Sequence, residues 1–217
     1  MRFKRLYKFY GAKSALRNLK QQQLKVSTLE DLNDPFEWNS FRIEKRIDRK
    51  IWEDIRRGFW ANKGLISFSD RWSNPVLWSH YADKHRGLAL GFDIPEKNCL
   101  RVVYEEDLKD LPSLEEVHAS KDGSIFVRAA TTKYHHWSYE SEWRIVVGQK
   151  GLVEDSNLLF LPFSPELRLK EIVIGAVSEI SSIELRKLTQ HKIKITTARL
   201  AFGSFSVTPQ LSKKRQK

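Results

Sequence analysis

The segment Tyr134–Val147, YHHWSYESEWRIVV, carries the pattern on which both the fold and the candidate chemistry depend. It starts with aromatic and polar residues and continues as an alternating run, in which residues two apart share one face of a strand. The face suited to a core would be formed by Ser141, Trp143, Ile145 and Val147. The opposite face would carry Glu140, Glu142 and Arg144. Such paired carboxylates either hold a sugar hydroxyl and stabilise a cationic transition state, or form a solvated face that the arginine screens.

The composition indicates a folded protein of one domain. The chain has 217 residues, 41% hydrophobic residues and seven tryptophans, which argues against disorder and allows a sizeable core. Its single cysteine, Cys99, excludes an internal disulfide framework and fits a reducing compartment. No apolar run is long enough for a membrane span, and the start of the chain lacks the apolar core of a secretion signal. The sequence therefore predicts a cytoplasmic protein that does not enter a membrane.

The positive charge is concentrated near the two ends of the chain. The formal net charge is +11, and eight lysines and arginines precede the first acidic residue, Glu30. Four more lie at Lys213, Lys214, Arg215 and Lys217, in a segment, 208–217, that we predict to be a flexible basic tail. Such a field concentrates polyanions around the protein. The predicted partners are therefore nucleic acid or another polyanion, and a non-catalytic nucleic-acid-binding module is one functional alternative.

The order of the predicted elements indicates an α+β fold over residues 1–207. Strands are predicted at Phe3–Tyr10, Leu24–Thr28, Leu65–Ser69, Leu88–Asp93, Leu100–Tyr104, Leu158–Phe163, Leu169–Ile174 and Lys192–Arg199. Helices are predicted at Ala12–Gln23, around Ile47–Phe59, after Pro75 and at Glu179–Gln190. Strands and helices mix irregularly instead of alternating, which is typical of α+β proteins. The first strand should be central, because both of its faces look apolar.

Several polar residues outside Tyr134–Val147 are further candidates for a functional site. Asn33 and Asp34, in the turn LNDPFE, either cap that turn or line a pocket. Lys8 on a central strand needs a buried partner, for which Glu140, Glu142 and Asp34 are candidates. The histidines show no metal-binding spacing, so no metal is expected. A carboxylate cluster for Mg²⁺ in a nuclease would need the turn, with Glu37, to lie beside Glu140 and Glu142.

Five strings in order along the chain resemble the signature of a bacterial family of unknown function. They are LYKF at Leu6–Phe9, NDPFE at Asn33–Glu37, SFS at Ser67–Ser69, LWSHYADKHRGLALGFD at Leu77–Asp93 and YESEWR at Tyr139–Arg144. The two longest strings are the most specific. Together the strings extend over most of the chain up to residue 147.

The same strings are remotely similar to the ADP-ribosyltransferase superfamily. In that superfamily a cationic residue on the first strand, a Ser-x-Ser and a Glu-x-Glu occur in this order. The matching residues here are Lys8, Ser67 and Ser69, and Glu140 and Glu142. The resemblance implies an α+β fold with a split, mixed, mostly antiparallel central sheet and flanking helices. It also implies a transferase that uses NAD as substrate to modify a macromolecule, as a bacterial toxin or phage-defence effector with an antitoxin or defence-system partner.

The resemblance assigns roles to individual residues. Glu142 would hold a ribose hydroxyl and stabilise positive charge, and Glu140 would orient or deprotonate the acceptor. Lys8 would contact the pyrophosphate, although arginine-type members have Arg there, with a planar fork that lysine lacks. The remaining predicted pocket residues are Tyr7, Ser67, Ser69, His80 and Tyr81 for NAD, and Asn33, Asp34 and Arg144 around it.

Overall fold

The computed structural model describes residues 1–28, 31, 32, 34, 36, 37, 39–119, 123–189 and 193–211. The strands are β1 Phe3–Tyr10, β2 Gln23–Val26, β3 Phe41–Arg42, β4 Lys63–Ser69, β5 Leu88–Pro95, β6 Leu100–Arg101, β7 Val103–Glu105, β8 Lys109–Asp110, β9 Thr132–Tyr134, β10 Glu142–Gly148, β11 Val153–Asp155, β12 Leu158–Pro162, β13 Arg168–Ile174, β14 Lys194–Leu200 and β15 Val207–Pro209. The α-helices are α1 Ala12–Gln21, α2 Arg46–Trp60, α3 Pro75–Tyr81, α4 Leu114–Ala119, α5 Ser124–Thr131 and α6 Ser182–Leu188. Short 3₁₀ turns cover Glu96–Asn98 and His135–Glu140.

An eight-stranded sheet organises the molecule, in the order β15-β14-β13-β5-β1-β4-β10-β6. Its described pairs are antiparallel except for the parallel pair β13–β14, so the sheet is mixed. Strands β11, β12 and β2 form a second sheet, and the pairs β3–β8 and β7–β9 are separate parallel ribbons. The prediction of a single α+β domain with a mixed sheet and flanking helices is confirmed at this level.

Strand β1 is central, as its sequence predicts, because it alternates between two hydrophobic layers. Leu6 packs into the larger core, together with Leu90 of β5. Tyr7 and Phe9 point into a second layer, where Phe9 meets the fully buried Trp78 of α3 edge-on, at 5.1 Å between ring centroids. Burying apolar side chains on both faces makes this strand a rigid support for whatever lies beside it.

The sheet opens between β1 and β4. Strand β1 pairs with β5 along its whole length, from Phe3 opposite Pro95 to Tyr10 opposite Leu88. With β4 it pairs at one position, Tyr7 opposite Ser69. Strand β4 instead runs in register with β10 over seven positions. The two halves of the sheet therefore diverge from the Tyr7–Ser69 pair, and a cleft opens between them.

Helix α3 closes one end of this cleft, and the turn after it forces close backbone packing. Asn74 caps the helix by accepting a hydrogen bond from the backbone N–H of Val76 at 2.9 Å, and Pro75 occupies the first turn. A glycine after a helix commonly supplies a left-handed conformation, but the positive φ angles in this turn belong to residues 83–85. Gly87 is required for a different reason, because a Cβ there would lie 1.9 Å from the carbonyl oxygen of Tyr10.

Two of the differences from the predicted boundaries concern the candidate site and the basic tail. Strand β10 begins at Glu142, and Glu140 belongs to the preceding 3₁₀ turn, so the two glutamates do not share one strand face. The predicted start of the basic tail falls inside β15, which pairs with β14 through Thr208 and Pro209. Residues 212–217, with the four tail cations, lie outside the described part of the chain. In the described residues, no helix combines the length and the apolar character that crossing a membrane requires.

Candidate functional site

The cleft between β1 and β4 contains a cavity of about 160 Å³. Three segments distant in sequence supply its walls: β1, β4 and the stretch from β9 to the start of β10. Helix α3 and the chain after β2 complete it. The lining residues are Tyr7, Lys8, Phe9, Ser27, Asp31, Leu32, Glu37, Ser67, Phe68, Ser69, Leu77, Tyr81, Lys133, Glu140 and Glu142.

One wall of the cleft is a buried group of charges that we call the ionic cluster: Glu37, Lys133, Glu140, Glu142 and Arg144. The Nζ of Lys133 lies 3.2 Å from Glu37 Oε1, 2.7 Å from Glu140 Oε2 and 3.3 Å from Glu142 Oε2. Arg144 donates to Glu142 from Nε at 2.7 Å and from Nη2 at 3.0 Å, and also pairs with Glu37. Three carboxylates and two cations are thus held in one network.

Backbone geometry explains how Glu140 and Glu142 come together although they do not share a strand. The 3₁₀ turn His135–Glu140 ends at Ser141, which has φ 44° and ψ 51° in the left-handed region. This residue redirects the chain into β10, where Glu142 pairs with Ser69 and Arg144 with Ser67. Lys133 comes from β9, seven residues before Glu140, and reaches both carboxylates.

The charged face of β10 is buried, so the alternative of a solvated face is wrong. Arg144 is 1% exposed and Glu142 is 4% exposed, whereas Trp143 on the other face is only half-buried. Burial alone would raise the pKa of Glu142, but the charges of Arg144 and Lys133 bring it down to about 2. Glu142 is therefore an anion throughout the physiological pH range.

The pKa of Glu140 is shifted in the opposite direction to that of Glu142. Burial raises the pKa of Glu140, and Lys133 opposes this effect without cancelling it, while the Glu142 carboxylate adds to the rise. The hydroxyl of Tyr81 donates a hydrogen bond to Oε1 of Glu140, the carboxylate oxygen that Lys133 does not bind. Two adjacent carboxylates whose environments move their pKa values apart are a typical arrangement for dividing an electrostatic and a proton-transfer role.

Lys8 lies on the β1 side of the cleft. Among the described residues its Nζ donates to the carbonyl oxygen of Ser67 at 3.0 Å, and the predicted ion pair with Glu140, Glu142 or Asp34 is not formed. Burial lowers the pKa of Lys8 to about 8, partly offset by the negative charge of Glu142. An ammonium group with three donors that uses one here on a carbonyl retains donors for an anionic ligand.

The structure brings most of the predicted pocket residues into the cleft. Tyr7, Lys8, Ser67, Ser69, Tyr81, Glu140 and Glu142 all line it. The hydroxyl of Tyr7 donates to Glu171 Oε2 at 2.9 Å, which holds its ring in place. Burial raises the pKa of Tyr7 to about 12, so this phenol stays protonated.

The other predicted pocket residues lie elsewhere. His80 is exposed and contacts the ring of Tyr139, at 6.0 Å between centroids, outside the cleft lining. Asp34 caps its own turn by accepting from the backbone N–H of Phe36 at 2.9 Å, and lines a neighbouring cavity. Arg144 pairs with Glu142 and Glu37 within the ionic cluster and is not among the residues that line the cleft. Asn33 lies outside the described residues.

Sequence reasoning missed Lys133, the centre of the ionic cluster. A usable signal existed, because carboxylates that are buried require cations, and Lys133 immediately precedes the segment that contains both glutamates. Glu37 was considered only for a metal site. The NDPFE turn does lie beside the central strand, as that hypothesis required, but the Lys133 ammonium occupies the place among the three carboxylates that a metal ion would take. Within the described residues, no group of three or more His, Cys, Asp or Glu is arranged to hold a metal.

Comparison with known proteins gave one match. Residues 77–145 match a family model described as "Protein of unknown function (DUF2971)". Neither the curated proteins nor the solved structures include a significant match. The matched segment contains most of α3 and the ionic-cluster residues Lys133, Glu140, Glu142 and Arg144, while β1, β4 and Glu37 lie before it. The similarity to ADP-ribosyltransferases stays a prediction. The match confirms, over residues 77–145, the resemblance to a family of unknown function.

Proposed function

We propose that the protein is an ADP-ribosyltransferase-like enzyme that takes NAD as substrate and transfers its ADP-ribosyl group to a macromolecule. The supporting observation is that one cleft unites a cation from β1, two serines from β4 and two glutamates from the β10 region. These are the residue types of the resemblance, contributed by three segments that lie far apart along the chain.

The cleft fits one end of a dinucleotide. Pockets that enclose a drug-sized ligand usually measure about 300–1,000 Å³, so a cavity of about 160 Å³ accepts only part of NAD. Its lining combines apolar and aromatic side chains, Phe9, Leu77 and Tyr81, with the hydroxyls of Ser67 and Ser69. This combination suits nicotinamide and its ribose. The ammonium of Lys8 suits a phosphate.

Glu142 would act electrostatically. NAD supplies an N-glycosidic bond that breaks with positive charge building up on the ribose, as in other glycosyl transfers. Glu142 presents a fixed negative charge in a site sheltered from water, where such charges act most strongly. Arg144 and Lys133 prevent it from taking up a proton, and its hydrogen bonds to Arg144 hold its orientation.

Glu140 would take the proton from the acceptor. A carboxylate whose pKa lies above the usual range is a stronger base, and burial has this effect on Glu140. The Tyr81 hydrogen bond and the Lys133 ion pair position it beside Glu142. In the transfer the bond from ribose to nicotinamide breaks, the acceptor bonds to the ribose carbon, and the acceptor's proton moves to Glu140.

The test compares NAD binding with NAD cleavage in Glu142→Gln. This variant keeps the shape of the side chain and removes its charge. We expect NAD affinity within a few-fold of wild type by calorimetry, and nicotinamide release slowed about 10²–10³-fold, the usual effect of removing one preorganised electrostatic group. Glu154→Gln, an exposed glutamate on β11, is the control, and thermal unfolding verifies that both variants fold. Absence of NAD binding by the wild-type protein, or undiminished nicotinamide release by Glu142→Gln, contradicts the proposal.

A further inference from the structure

A second cavity, of about 420 Å³, lies next to the cleft. Glu37 and Lys133 line both spaces, so this ion pair of the ionic cluster forms a shared wall. The other walls come from residues near the NDPFE turn, from the β7–β9 ribbon and from the acidic segment that follows β7. The lining residues are Asp34, Phe36, Glu37, Ser40, Glu105, Glu106, Asp107, Leu108, Thr132, Lys133, Tyr134 and Trp137.

The charge in this cavity is negative, in contrast to the chain as a whole, which carries +11. Asp34, Glu105, Glu106 and Asp107 line it in addition to Glu37, and Lys133 is the one cation among the described lining residues. The ammonium of Lys133 is already bound by the three carboxylates of the ionic cluster. An acidic cavity on a basic protein attracts cations selectively.

An independent feature of the cavity is the side chain of Ser40. Its residue is 6% exposed, and its Oγ is buried with no hydrogen-bond partner among the described residues. Buried hydroxyls are normally paired, since an unpaired one loses its interaction with water without replacement. The lone pairs of Ser40 Oγ can accept a hydrogen bond from an N–H group of a ligand in the cavity.

The apolar part of the lining distinguishes an organic cation from a metal ion. Phe36, Leu108 and Tyr134 are exposed apolar or aromatic side chains around the cavity. The indole of Trp137 adds an aromatic wall, and its ring already lies 4.8 Å from the Lys133 ammonium, which shows that a cation can sit against it. A metal ion gains nothing from apolar walls, and no three acidic groups here are arranged as ligands in the described structure.

We infer that this second cavity is a binding site for an organic cation, a guanidinium or ammonium group on an aliphatic stem. The cationic head is held by the carboxylates of Glu106 and Asp107 and by the hydroxyl of Ser40, whereas Glu105 already pairs with Lys109 Nζ at 3.0 Å. The stem packs on Leu108, Tyr134 and Trp137. The inference does not depend on NAD binding, because it rests on the lining of a different cavity.

The binding test uses three small probes that share a butyl stem. The full-length protein is titrated with butylguanidinium, butylammonium and neutral butylurea at low ionic strength, and binding is followed by the NMR signal of the Trp137 indole N–H. We expect saturable binding of at least one cationic probe and none of butylurea at the same concentrations. The stronger of the two cations identifies the preferred head group. Equal shifts with butylurea, or no saturable shift with either cation, overturn the inference.

Matched charge variants locate the site. Glu106→Gln/Asp107→Asn removes two carboxylates from the cavity, and Asp54→Asn/Glu154→Gln removes two exposed carboxylates elsewhere. Both double variants change the net charge equally, so non-specific attraction changes equally. We expect the first to weaken cation binding about tenfold, as two partly exposed charge interactions would, and the second to leave it within twofold. An equal effect of the two double variants overturns the inference.

Ser40→Ala tests the unpaired hydroxyl separately. The variant removes one acceptor and leaves every charge in place. We expect binding to weaken about three- to tenfold, which corresponds to the usual net contribution of one hydrogen bond. Unchanged affinity in Ser40→Ala would exclude the hydroxyl from the site and overturn its assigned role in the inference.

Discussion

Lys133 is predicted to make a large contribution to the stability of this protein. Replacing it in Lys133→Met keeps most of the apolar stem but removes the ammonium from among Glu37, Glu140 and Glu142. Arg144 would remain as the one cation of the ionic cluster. Three carboxylates would then share a buried space with one positive charge, an arrangement that buried groups tolerate poorly.

The expected magnitude follows from burial. The Lys133 side chain is 3% exposed, and removing one partner from a buried ion pair typically costs about 3–5 kcal/mol of unfolding free energy. Lys194 is a matched control, because its Nζ also pairs with a buried glutamate, Glu171, at 2.8 Å, but its side chain is 70% exposed. Lys194→Met should cost less than about 1 kcal/mol, as exposed pairs do.

The penalty should depend on pH in a defined direction. Burial already raises the pKa of Glu140, and loss of Lys133 removes the largest opposing effect, so this pKa should rise further. Folded Lys133→Met would then bind a proton that the unfolded chain releases at its ordinary carboxyl pKa. The unfolding free energy of Lys133→Met therefore falls as the pH rises from the ordinary carboxyl pKa of the unfolded chain to the raised pKa of Glu140 in the folded protein. The difference from wild type should be smaller at pH 5 than at pH 8.

Urea denaturation of wild type, Lys133→Met and Lys194→Met at these two pH values measures the effect. We expect a large, pH-dependent loss of unfolding free energy in Lys133→Met and a small loss in Lys194→Met. If Lys133→Met is no less stable than Lys194→Met at pH 8, the ionic cluster does not hold the fold as described. A penalty that grows towards acid pH would refute the assignment of Glu140 as the group with the raised pKa.

Two further predictions follow from the cleft and its surroundings. Gly87→Ala should lower the free energy of unfolding by several kcal/mol, because its Cβ would lie 1.9 Å from the Tyr10 carbonyl oxygen. The control is Gly148→Ala, where a Cβ meets nothing within 4 Å and stability should change by less than about 1 kcal/mol. Similar losses in both variants, measured by thermal or urea unfolding, would contradict the packing argument. Under the proposed function, NAD affinity should decrease as the pH rises through about 8, because Lys8 loses its charge there. Calorimetry at pH 7 and pH 9 should show this decrease in the wild-type protein and not in Lys8→Met. An affinity that is independent of pH in both proteins would exclude Lys8 from phosphate binding.

The predictable parts of the fold were those in which local pattern and burial agree. Strand Phe3–Tyr10 was predicted with both boundaries correct, since its aromatic and apolar residues on both faces are typical of a central strand. The amphipathic helix around Ile47–Phe59 corresponds to α2 because its apolar residues recur every four positions. In the segment Tyr134–Val147 the predicted strand was wrong at Glu140. A 3₁₀ turn and a left-handed Ser141 replaced the expected strand there, and such backbone geometry leaves little trace in an alternating sequence.

Among the site residues, chemical type was readable and pairing was not. The glutamates of the cleft were named from the pattern of residues 134–147, and its serines and lysine from the resemblance to ADP-ribosyltransferases. The ion pairs of Glu37 and Lys133 were not predicted, because they join residues that are 96 positions apart and depend on how the turn after β2 packs against β9. His80 was predicted to lie in the pocket, yet helix α3 turns it towards solvent and Tyr139.

The sequence by itself determined the α+β class, the central first strand and the set of groups able to do chemistry, because hydrophobic periodicity and residue type are local properties. Only the tertiary structure decided that β1 and β4 diverge after one pair, that Lys133 neutralises the carboxylates, and that a second, acidic cavity lies behind the shared wall. The physical reason is that burial and electrostatic pairing are set by neighbours in space. A charge that looks solvated in the alternating strand pattern of β10 is, in the folded chain, among the least exposed side chains of the molecule.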